Sequence, residues 1–449
     1  MSLFQSNTLF LWLCFSSLLF TLSTQEKEKQ HASTSISLSF PLKTVRLGSS
    51  PNASATFRNS LLLKFRRNPR LKAASYNYKL SFQYSMALIV SLPIGTPPQT
   101  QEMVLDTGSQ LSWIKCHMKA PKRFPPTPPF DPSRSSTFSV LPCTNPICKP
   151  RVPDFTLPTT CDQNRFCHYS YFYADGTFAE GNLVREKFTF SPSVSTPPFI
   201  LGCAKDPSDT KGILGMNLGR LSFASQAKIT KFSYCVPTRK TKPGSFPTGS
   251  FYLGNNPNSR WFKYVDLLTF PKSQRAPNLD PLAFTLPMQG IRIGAKKLNI
   301  PPSVFRPDPS GSGQTMIDSG SDFTFLVDEA YNTLREEIVR RVGPKMKRGY
   351  VYAGVTDMCF QGANTAEIER LVGDMVFEFD KGVEIVAPKE RILADVGGGI
   401  HCLAIGRSNI LGAASNIIGN FHQQNLWVEF DLVRRKVGFG KAVCSRSSV

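Results

Sequence analysis

Histidine is scarce in this 449-residue chain, with five residues, and no C-x2-C pair occurs among its eleven cysteines. Zinc sites are built mainly from histidine and closely spaced cysteine, so we expect neither a metal site nor a cofactor. The chain also lacks the G-x-S-x-G pattern that surrounds the nucleophile of many serine hydrolases. Zinc chemistry and a serine nucleophile are therefore not indicated.

Long apolar runs are missing as well. The run from Leu9 to Phe20 is too short to cross a bilayer and is typical of a signal-peptide core, which we place at residues 1–24. No Lys or Arg precedes it, so an N-terminal anchor is the alternative. The pattern predicts entry into the secretory route, towards the extracellular space or an endomembrane lumen, without a stable membrane anchor.

Acidic residues are few: 32 Asp and Glu stand against 53 Lys and Arg, for a formal net charge of +21. Residues 25–80 hold eleven of the basic residues and only Glu26 and Glu28. The remaining excess is scattered rather than gathered into a basic stripe, so nucleic acid is not an expected partner. Residues 25–80, which include the glycosylation sequon at Asn52, are either a disordered linker or a basic prosegment that covers an acidic cleft. We take them as a prosegment.

Cysteine itself is not scarce. Cys14 lies in the predicted signal peptide, and the other ten make an even number that five disulfides in an oxidising compartment would use. Spacing alone does not choose the pairing.

A short motif occurs twice in the remaining sequence. Asp106-Thr107-Gly108-Ser109 follows an apolar run, and Asp318-Ser319-Gly320-Ser321 follows another, 212 positions later. In each copy the glycine permits a tight turn, and the flanking hydroxyls can hydrogen-bond the carboxylate. Either copy alone would be an ordinary turn after a strand. The repetition indicates that the chain brings two carboxylates together.

An apolar-apolar-glycine strand follows each motif, as Ile213-Leu214-Gly215 and as Ile417-Ile418-Gly419. An ordered repeat of this kind predicts two homologous lobes related by a pseudo-two-fold axis. With 35 Pro, 31 Gly and 34 Phe, the composition favours strands and turns. We predict an all-β dominated, bilobal fold with a few short helices. The N-terminal lobe spans 81–240, the lobe crossing 241–280 and the C-terminal lobe 281–449.

An aromatic hairpin is predicted near residue 173. The segment Tyr169–Tyr173 precedes a glycine turn at Gly176 and a return strand, which places Tyr173 near the hairpin tip. Trp113 is large enough to brace a nearby loop. Without the aspartate pair, an ordinary surface hairpin would be the better interpretation.

Two carboxylates in one cleft retain a proton between them, because both cannot ionise easily. Such a pair can activate a water on one side and polarise a carbonyl on the other. Glycoside hydrolysis also uses paired carboxylates, but it does not require a duplicated Asp-hydroxyl-Gly turn. Metal bridging would need further ligands that the sequence does not offer.

These residues, together with the segments GTPPQ, LDTGSQLSW, FSYC, GQTMIDSG and HQQNLWVEFD, resemble the pepsin-like aspartic proteases, and among them the plant nepenthesin-like group. The match covers roughly residues 84–444. The resemblance implies a bilobal pepsin-like fold with β-barrel-like lobes and an acid-favoured aspartic endopeptidase acting on protein or peptide substrates. It further implies a monomeric zymogen, secreted to the apoplast or an endomembrane lumen.

Residue roles follow from the same resemblance. Asp106 and Asp318 would be the catalytic dyad, supported by the hydroxyls and glycines of both turns, and Tyr173 would close over substrate as the flap tyrosine, braced by Trp113. The supporting residues are Thr107, Gly108, Ser109, Ser319, Gly320 and Ser321. The implied disulfides are Cys116–Cys203, Cys143–Cys167 around Cys148–Cys161, Cys235–Cys444 and Cys359–Cys402.

Three positions depart from the family pattern. Ser321 stands where Thr is usual, which keeps the hydroxyl, and Ala174 follows Tyr173 where Gly is commoner. A further cysteine pair of many relatives is missing after Cys116. The rival hypothesis is an inactive protein of this fold that binds or inhibits a partner, and the intact aspartates argue against it.

Overall fold

The structure is a computed structural model, and it describes residues 37–46, 86–116, 128–148, 159–174, 178–205, 211–239, 247–271, 276–362 and 365–444. Strands dominate and helices are short, which confirms the predicted fold class. The predicted signal peptide, the sequon at Asn52, Gly176 and most of the predicted prosegment lie outside the described residues.

The strands follow one another along the whole described chain. They are β1 Leu38–Arg46, β2 Met86–Ile94, β3 Gln99–Asp106, β4 Trp113–Lys115, β5 Ser139–Val140, β6 Thr160–Cys161, β7 Cys167–Phe172, β8 Phe178–Glu186, β9 Thr189–Ser191, β10 Val194–Ser195, β11 Phe199–Ala204, β12 Gly212–Gly215, β13 Lys231–Cys235, β14 Thr248–Leu253, β15 Lys263–Asp266, β16 Met288–Ile293, β17 Lys296–Lys297, β18 Thr315–Ile317, β19 Thr324–Leu326, β20 Cys359–Gln361, β21 Met375–Phe379, β22 Glu384–Ala387, β23 Leu393–Asp395, β24 Ile400–Leu403, β25 Ile405–Arg407, β26 Asn416–Ile418, β27 Leu426–Asp431 and β28 Lys436–Lys441.

Helices are few among the described residues. They are α1 Phe223–Gln226, α2 Asp328–Val342 and α3 Ala366–Val372. The sequence predicts α2 from the apolar spacing of Ala330, Leu334 and Ile338, and all three side chains are fully buried. Short 3-10 turns occupy Pro132–Arg134, Ser259–Trp261, Pro302–Phe305, Gly343–Lys345, Asp380–Gly382, Lys389–Arg391, Ser408–Leu411 and Asn420–Gln423.

One large sheet runs through the molecule in the order β15-β28-β27-β13-β14-β1-β2-β3-β12-β4-β11-β8-β7-β6. Smaller sheets, ordered β17-β16-β21-β22, β18-β26-β19-β25 and β20-β24-β23, build the C-terminal part. The closing hairpin β27–β28 belongs to the large sheet, so the end of the chain returns to this sheet, between β15 and β13.

The two copies of the predicted repeat, here called half-repeats, each consist of an aspartate turn and its apolar-apolar-glycine segment, and they fold alike. In the first, β3 pairs in parallel with β12, and β12 pairs antiparallel with β4. In the second, β18 pairs in parallel with β26, and β26 pairs antiparallel with β19. Each half-repeat therefore ends a buried strand at an aspartate turn, with the apolar-apolar-glycine strand alongside it.

Part of the predicted prosegment forms β1. This strand lies between β14 and β2 and is paired along both edges, and Leu42 is fully buried. For residues 37–46 the structure thus places the chain inside the sheet. The cationic cover is predicted for residues 25–80, so residues 37–46 depart from it, and residues 25–36 and 47–80 lie outside the described residues. The lobe boundaries stay a prediction.

Five disulfides join cysteines in the described residues. Three of the implied pairs are present: Cys116–Cys203, Cys235–Cys444 and Cys359–Cys402. Cys359 and Cys402 lie directly opposite each other in the β20–β24 pairing.

The implied nesting of the other two pairs is wrong. The structure joins Cys143 to Cys161 and Cys148 to Cys167, with Cα separations of 5.5 and 5.4 Å. Cys161 and Cys167 lie directly opposite each other in the β6–β7 pairing. Two successive turns fold residues 142–148 next to that pairing, so both cysteines of the turn meet the opposed pair side by side.

Candidate active site

Parallel strand pairs place both aspartates at the ends of buried strands. Asp106 is the last residue of β3, and its carbonyl oxygen accepts from Met216 N at 2.8 Å. Asp318 follows β18, and its own N–H donates to Ile418 O at 3.1 Å. The backbone of each aspartate is therefore hydrogen-bonded at the end of the neighbouring parallel strand, β12 for Asp106 and β26 for Asp318.

Within each turn the same two groups hold the carboxylate. Gly108 N donates to Asp106 Oδ1 at 2.8 Å, and Ser109 Oγ donates to Asp106 Oδ2. In the second turn the Gly320 N–H donates to Asp318 Oδ1 at 2.8 Å, and Ser321 Oγ donates to Asp318 Oδ2 at 2.6 Å. Ser321 thus makes the bond expected of the more usual Thr.

The second residue of each turn reaches across to the other turn. Thr107 N donates to Ser319 Oγ at 3.1 Å, and Ser319 N donates to Thr107 Oγ1 at 2.9 Å. The Ser319 hydroxyl also donates to Leu105 O at 2.7 Å, and the Thr107 hydroxyl to Ile317 O at 3.4 Å. These reciprocal bonds are fully buried, so neither turn is complete without its partner.

The glycines let the two carboxylates approach. A Cβ on Gly108 would lie 3.0 Å from the carboxylate of Asp318, and one on Gly320 would clash with Asp106 Oδ1. The residues Asp106 and Asp318 are only 6% and 9% exposed. Burial, together with repulsion from Asp318, holds the pKa of Asp106 well above its usual range. Two buried carboxylates placed in this way favour the state in which they share one proton.

The hairpin predicted to be the flap lies next to the first turn. Its strands β7 and β8 pair as predicted, and the Trp113 indole N–H donates to the Tyr173 hydroxyl oxygen at 2.8 Å. Burial raises the pKa of Tyr173, so its phenol keeps the hydrogen that it can donate. The structure thus brings Tyr173 and Trp113 together, while Gly176 lies outside the described residues.

Two residues below the dyad are absent from the sequence prediction. Tyr234 OH donates to Gln423 Oε1 at 2.7 Å, and Gln423 Nε2 donates to the backbone oxygens of Asp318 and Ile418 at 3.2 and 2.9 Å. Both side chains are fully buried. The sequence signal that could have identified them is their presence in the segments FSYC and HQQN.

An ion pair behind the second turn is also missing from the sequence prediction. Arg239 Nη1 lies 2.6 Å from Asp322 Oδ1. Asn420 lies beside this pair, and its Nδ2 donates to Ser319 O at 2.9 Å. No sequence pattern links Arg239 to Asp322, so only the fold reveals the contact.

Among the residues that the structure describes, no group of three His, Cys, Asp or Glu side chains could hold a metal ion. Within the same ranges no helix is both long and apolar enough to span a membrane.

Comparison with known proteins assigns the family. Two family models match, described as xylanase inhibitor N-terminal over residues 88–250 and xylanase inhibitor C-terminal over residues 283–441. With its duplicated aspartate turns, the chain belongs to the pepsin-like aspartic protease family.

Its relatives include plant proteinases. Aspartic proteinase PCS1 of Arabidopsis thaliana is 37% identical over 395 residues, which cover 82% of this chain and 84% of that protein. Aspartic proteinase nepenthesin-1 of Nepenthes gracilis is 32% identical over 365 residues, covering 80% and 78%. The predicted resemblance to the nepenthesin-like group is confirmed.

Solved structures support the fold. The crystal structure of edgp superimposes with a TM-score of 0.60 at 18% identity, covering 91% of this chain and 95% of that one. Conglutin gamma, a basic 7S globulin from lupine seeds, gives 0.58 at 16% identity, covering 90% and 95%. At such identities the likeness concerns the fold alone.

Proposed function

We propose that the chain is an active aspartic endopeptidase. The observation that carries this proposal is the pair of aspartate turns locked to each other by reciprocal hydrogen bonds, which hold two buried carboxylates side by side. Such a pair holds an acid and a base in one cleft, which is what hydrolysis of an amide through an activated water needs.

The proposed reaction uses the pair as one unit. The ionised carboxylate takes a proton from a water between the two aspartates, and the water oxygen attacks the scissile carbonyl carbon. The protonated carboxyl gives its proton to the carbonyl oxygen, so that a neutral gem-diol forms without an enzyme adduct. Collapse of the diol, with protonation of the nitrogen, breaks the C–N bond.

The flap supplies the proposed substrate contact. Because the Trp113 N–H already donates to the Tyr173 oxygen, the phenolic hydrogen of Tyr173 is free to donate to a backbone carbonyl of a bound peptide. We propose that closure of this hairpin excludes water and orients the peptide over the dyad.

Acid-favoured activity is part of the proposal. The pair works with one proton, and loss of that proton at alkaline pH removes the acid that polarises the carbonyl. Uptake of a second proton at low pH removes the base. Because the pKa of Asp106 is raised, the working range extends from acidic towards neutral pH.

Secretion and processing are proposed as well. Five disulfides in the described residues suit an oxidising compartment, outside the cell or in an endomembrane lumen. We propose that residues 1–24 direct export and that cleavage near residue 80 activates a precursor. Purified precursor should then gain activity on acidification, with a new N-terminus near residue 80. Full activity of uncleaved precursor at neutral pH would contradict this.

A second candidate is an inactive inhibitor or binding protein, which the description of the matching family models as xylanase inhibitor domains favours. The intact dyad and flap tyrosine favour the enzyme. The two candidates differ in whether the carboxylates are used at all.

One assay separates them. Purified, processed protein is incubated with a denatured protein between mildly acidic and neutral pH, with and without pepstatin, beside the double variant Asp106→Asn/Asp318→Asn. We expect pepstatin-sensitive cleavage by the wild type and none by the variant. Absence of cleavage across the range, with inhibition of an added xylanase, would replace the enzyme by the inhibitor.

A further inference from the structure

The Arg239–Asp322 ion pair lies immediately behind the second aspartate turn. Asp322 follows Ser321, the residue that bonds the outer oxygen of Asp318. The two side chains are only 12% and 8% exposed, and their closest approach is 2.6 Å. A charged pair therefore sits within one residue of the groups that orient the catalytic carboxylate.

Arg239 also reaches the turn by a second route. Its Nη2 donates to Asn420 Oδ1, and Asn420 Nδ2 in turn donates to Ser319 O at 2.9 Å. The guanidinium lies 5.0 Å from the centroid of the Phe421 ring. Arg239 thus contacts the end of the turn directly and its second residue through one amide.

Asp322 extends the same contact to the large sheet. Its Oδ2 accepts from Met86 N at 2.9 Å, and Met86 is the first residue of β2. Its backbone oxygen accepts from Phe421 N at 3.0 Å. Three segments that are distant in sequence therefore meet at this one residue: Arg239 and Met86 at its carboxylate, and Phe421 at its backbone oxygen.

Stability alone is a poor reason for such a pair. Taking two charges out of water costs several kcal/mol, and apolar replacements of buried ion pairs are often neutral or stabilising. Among the described residues, Arg239 Nε has no hydrogen-bond partner, so its burial is only partly compensated. The first turn carries Gln110 where the second carries Asp322, four residues after the aspartate. The charge is therefore not required to build the turn.

We propose that Arg239 and Asp322 are positioning residues for catalysis, which hold the second aspartate turn in the geometry that the first turn and the substrate require. This inference rests on the proposed peptidase activity. Small displacements of a positioned group are expensive in rate: a shift of about 1 Å can cost on the order of 100-fold. The ion pair opposes such a shift because its hydrogen bonds connect the turn to both β2 and the 3-10 turn at residues 420–423.

The experiment compares kcat and KM of the processed enzyme, with the active-site concentration determined by pepstatin titration. The variants are Arg239→Met, Arg239→Lys and Asp322→Asn. The control is Arg341→Met, which removes one of the three cations that contact the buried Glu337 carboxylate on α2. Arg341 is 19% exposed, so its loss matches that of Arg239 in burial but not in place.

We expect Arg239→Met to lower kcat per active site by roughly tenfold with KM within about twofold. Arg239→Lys, which keeps the charge, should recover part of the loss, and Asp322→Asn should resemble Arg239→Met. The control should lose thermal stability while its kcat per titrated site stays at the wild-type value.

The contrary result is equally clear. If Arg239→Met and Asp322→Asn lower only the melting temperature or the titratable fraction, as Arg341→Met does, the pair is structural and the proposal fails. Should Arg239→Met not fold, Arg239→Lys and Asp322→Asn decide by the same criterion. A wild-type enzyme without cleavage or pepstatin binding would instead overturn the proposed function.

Discussion

The two aspartate turns are near copies that differ in their surroundings. Seven residues after each aspartate the chain has Trp113 in the first lobe and Phe325 in the second, and each pairs with the equivalent isoleucine, Ile213 or Ile417. Only the tryptophan side chain has an N–H, and this group donates to the hydroxyl oxygen of Tyr173. The second lobe has no such donor at this position.

Further differences lie behind the turns. Three residues after the glycine of the apolar-apolar-glycine segment, the chain has Leu218 in the first lobe and His422 in the second. Where the first turn continues with Gln110, the second continues with the charged Asp322. The two copies thus share the groups that hold the aspartates, and they differ at positions whose contacts occur in one lobe only. Shared positions should give equal effects on mutation, and divergent positions should give unequal ones.

The largest effect is expected at the aspartates, where the two lobes should be equivalent. Either Asp106→Asn or Asp318→Asn removes one member of the pair that shares a proton, and we expect kcat to fall roughly 1,000-fold or more in both. Peptide hydrolysis, with circular dichroism to verify folding, measures this. One variant that keeps near-normal kcat would show that the two carboxylates do not act as one unit.

The reciprocal hydroxyl bonds give the next test of equivalence. Thr107→Val and Ser319→Ala each leave a buried backbone N–H without its acceptor, which costs about 2–3 kcal/mol in the free energy of unfolding. The double variant should cost less than the sum, because the bonds link the same two turns. Chemical denaturation measures all three. Full additivity would show that the turns are held independently.

His422 should make the second lobe sensitive to acid. Burial lowers the pKa of His422 to about 3, and the positive charge of Arg239 adds to the effect. In the unfolded chain the ordinary value is about 6.5, so below that pH only the unfolded state gains the proton. Stability is therefore lost as the pH falls, by about 2 kcal/mol between pH 7 and 5.

His422→Leu, which copies Leu218 of the first lobe, should remove this pH dependence. Thr324 Oγ1, which bonds the His422 ring, also accepts from Gly419 N at 3.2 Å, and we expect the variant to keep that second bond. Unfolding curves at several pH values should show a gap to the wild type that moves in favour of the variant as the pH falls. A constant gap would contradict the assignment.

The smallest effect concerns the flap. Trp113→Phe makes the first lobe resemble the second at Phe325 and removes one hydrogen bond to Tyr173, worth about 1 kcal/mol, or roughly fivefold in kcat/KM. Tyr173→Phe serves as the partner in a double-mutant cycle. Additive losses would show that the indole acts by packing rather than through its N–H.

The sequence predicts the repeated part of this site well. A motif that occurs twice, with its companion strands, identifies Asp106 and Asp318, and period-3.6 spacing identifies α2. Features built once leave no such trace. Tyr234 meets Gln423 because β13 and β27 are neighbours, and a sequence without pairing information does not reveal that contact. The disulfide pairing near β6, which differs from the implied one, follows from two successive turns that cysteine spacing does not predict.

Strand β1 has a consequence for any processed form. It lies between β14 and β2, and these two strands are connected in the sheet only through β1. A cut between residues 46 and 86 would therefore leave β1 bound by backbone hydrogen bonds on both sides. Its departure would expose two unpaired strand edges in the middle of the protein. Maturation would then yield a two-chain molecule first, whose short chain appears only on denaturation.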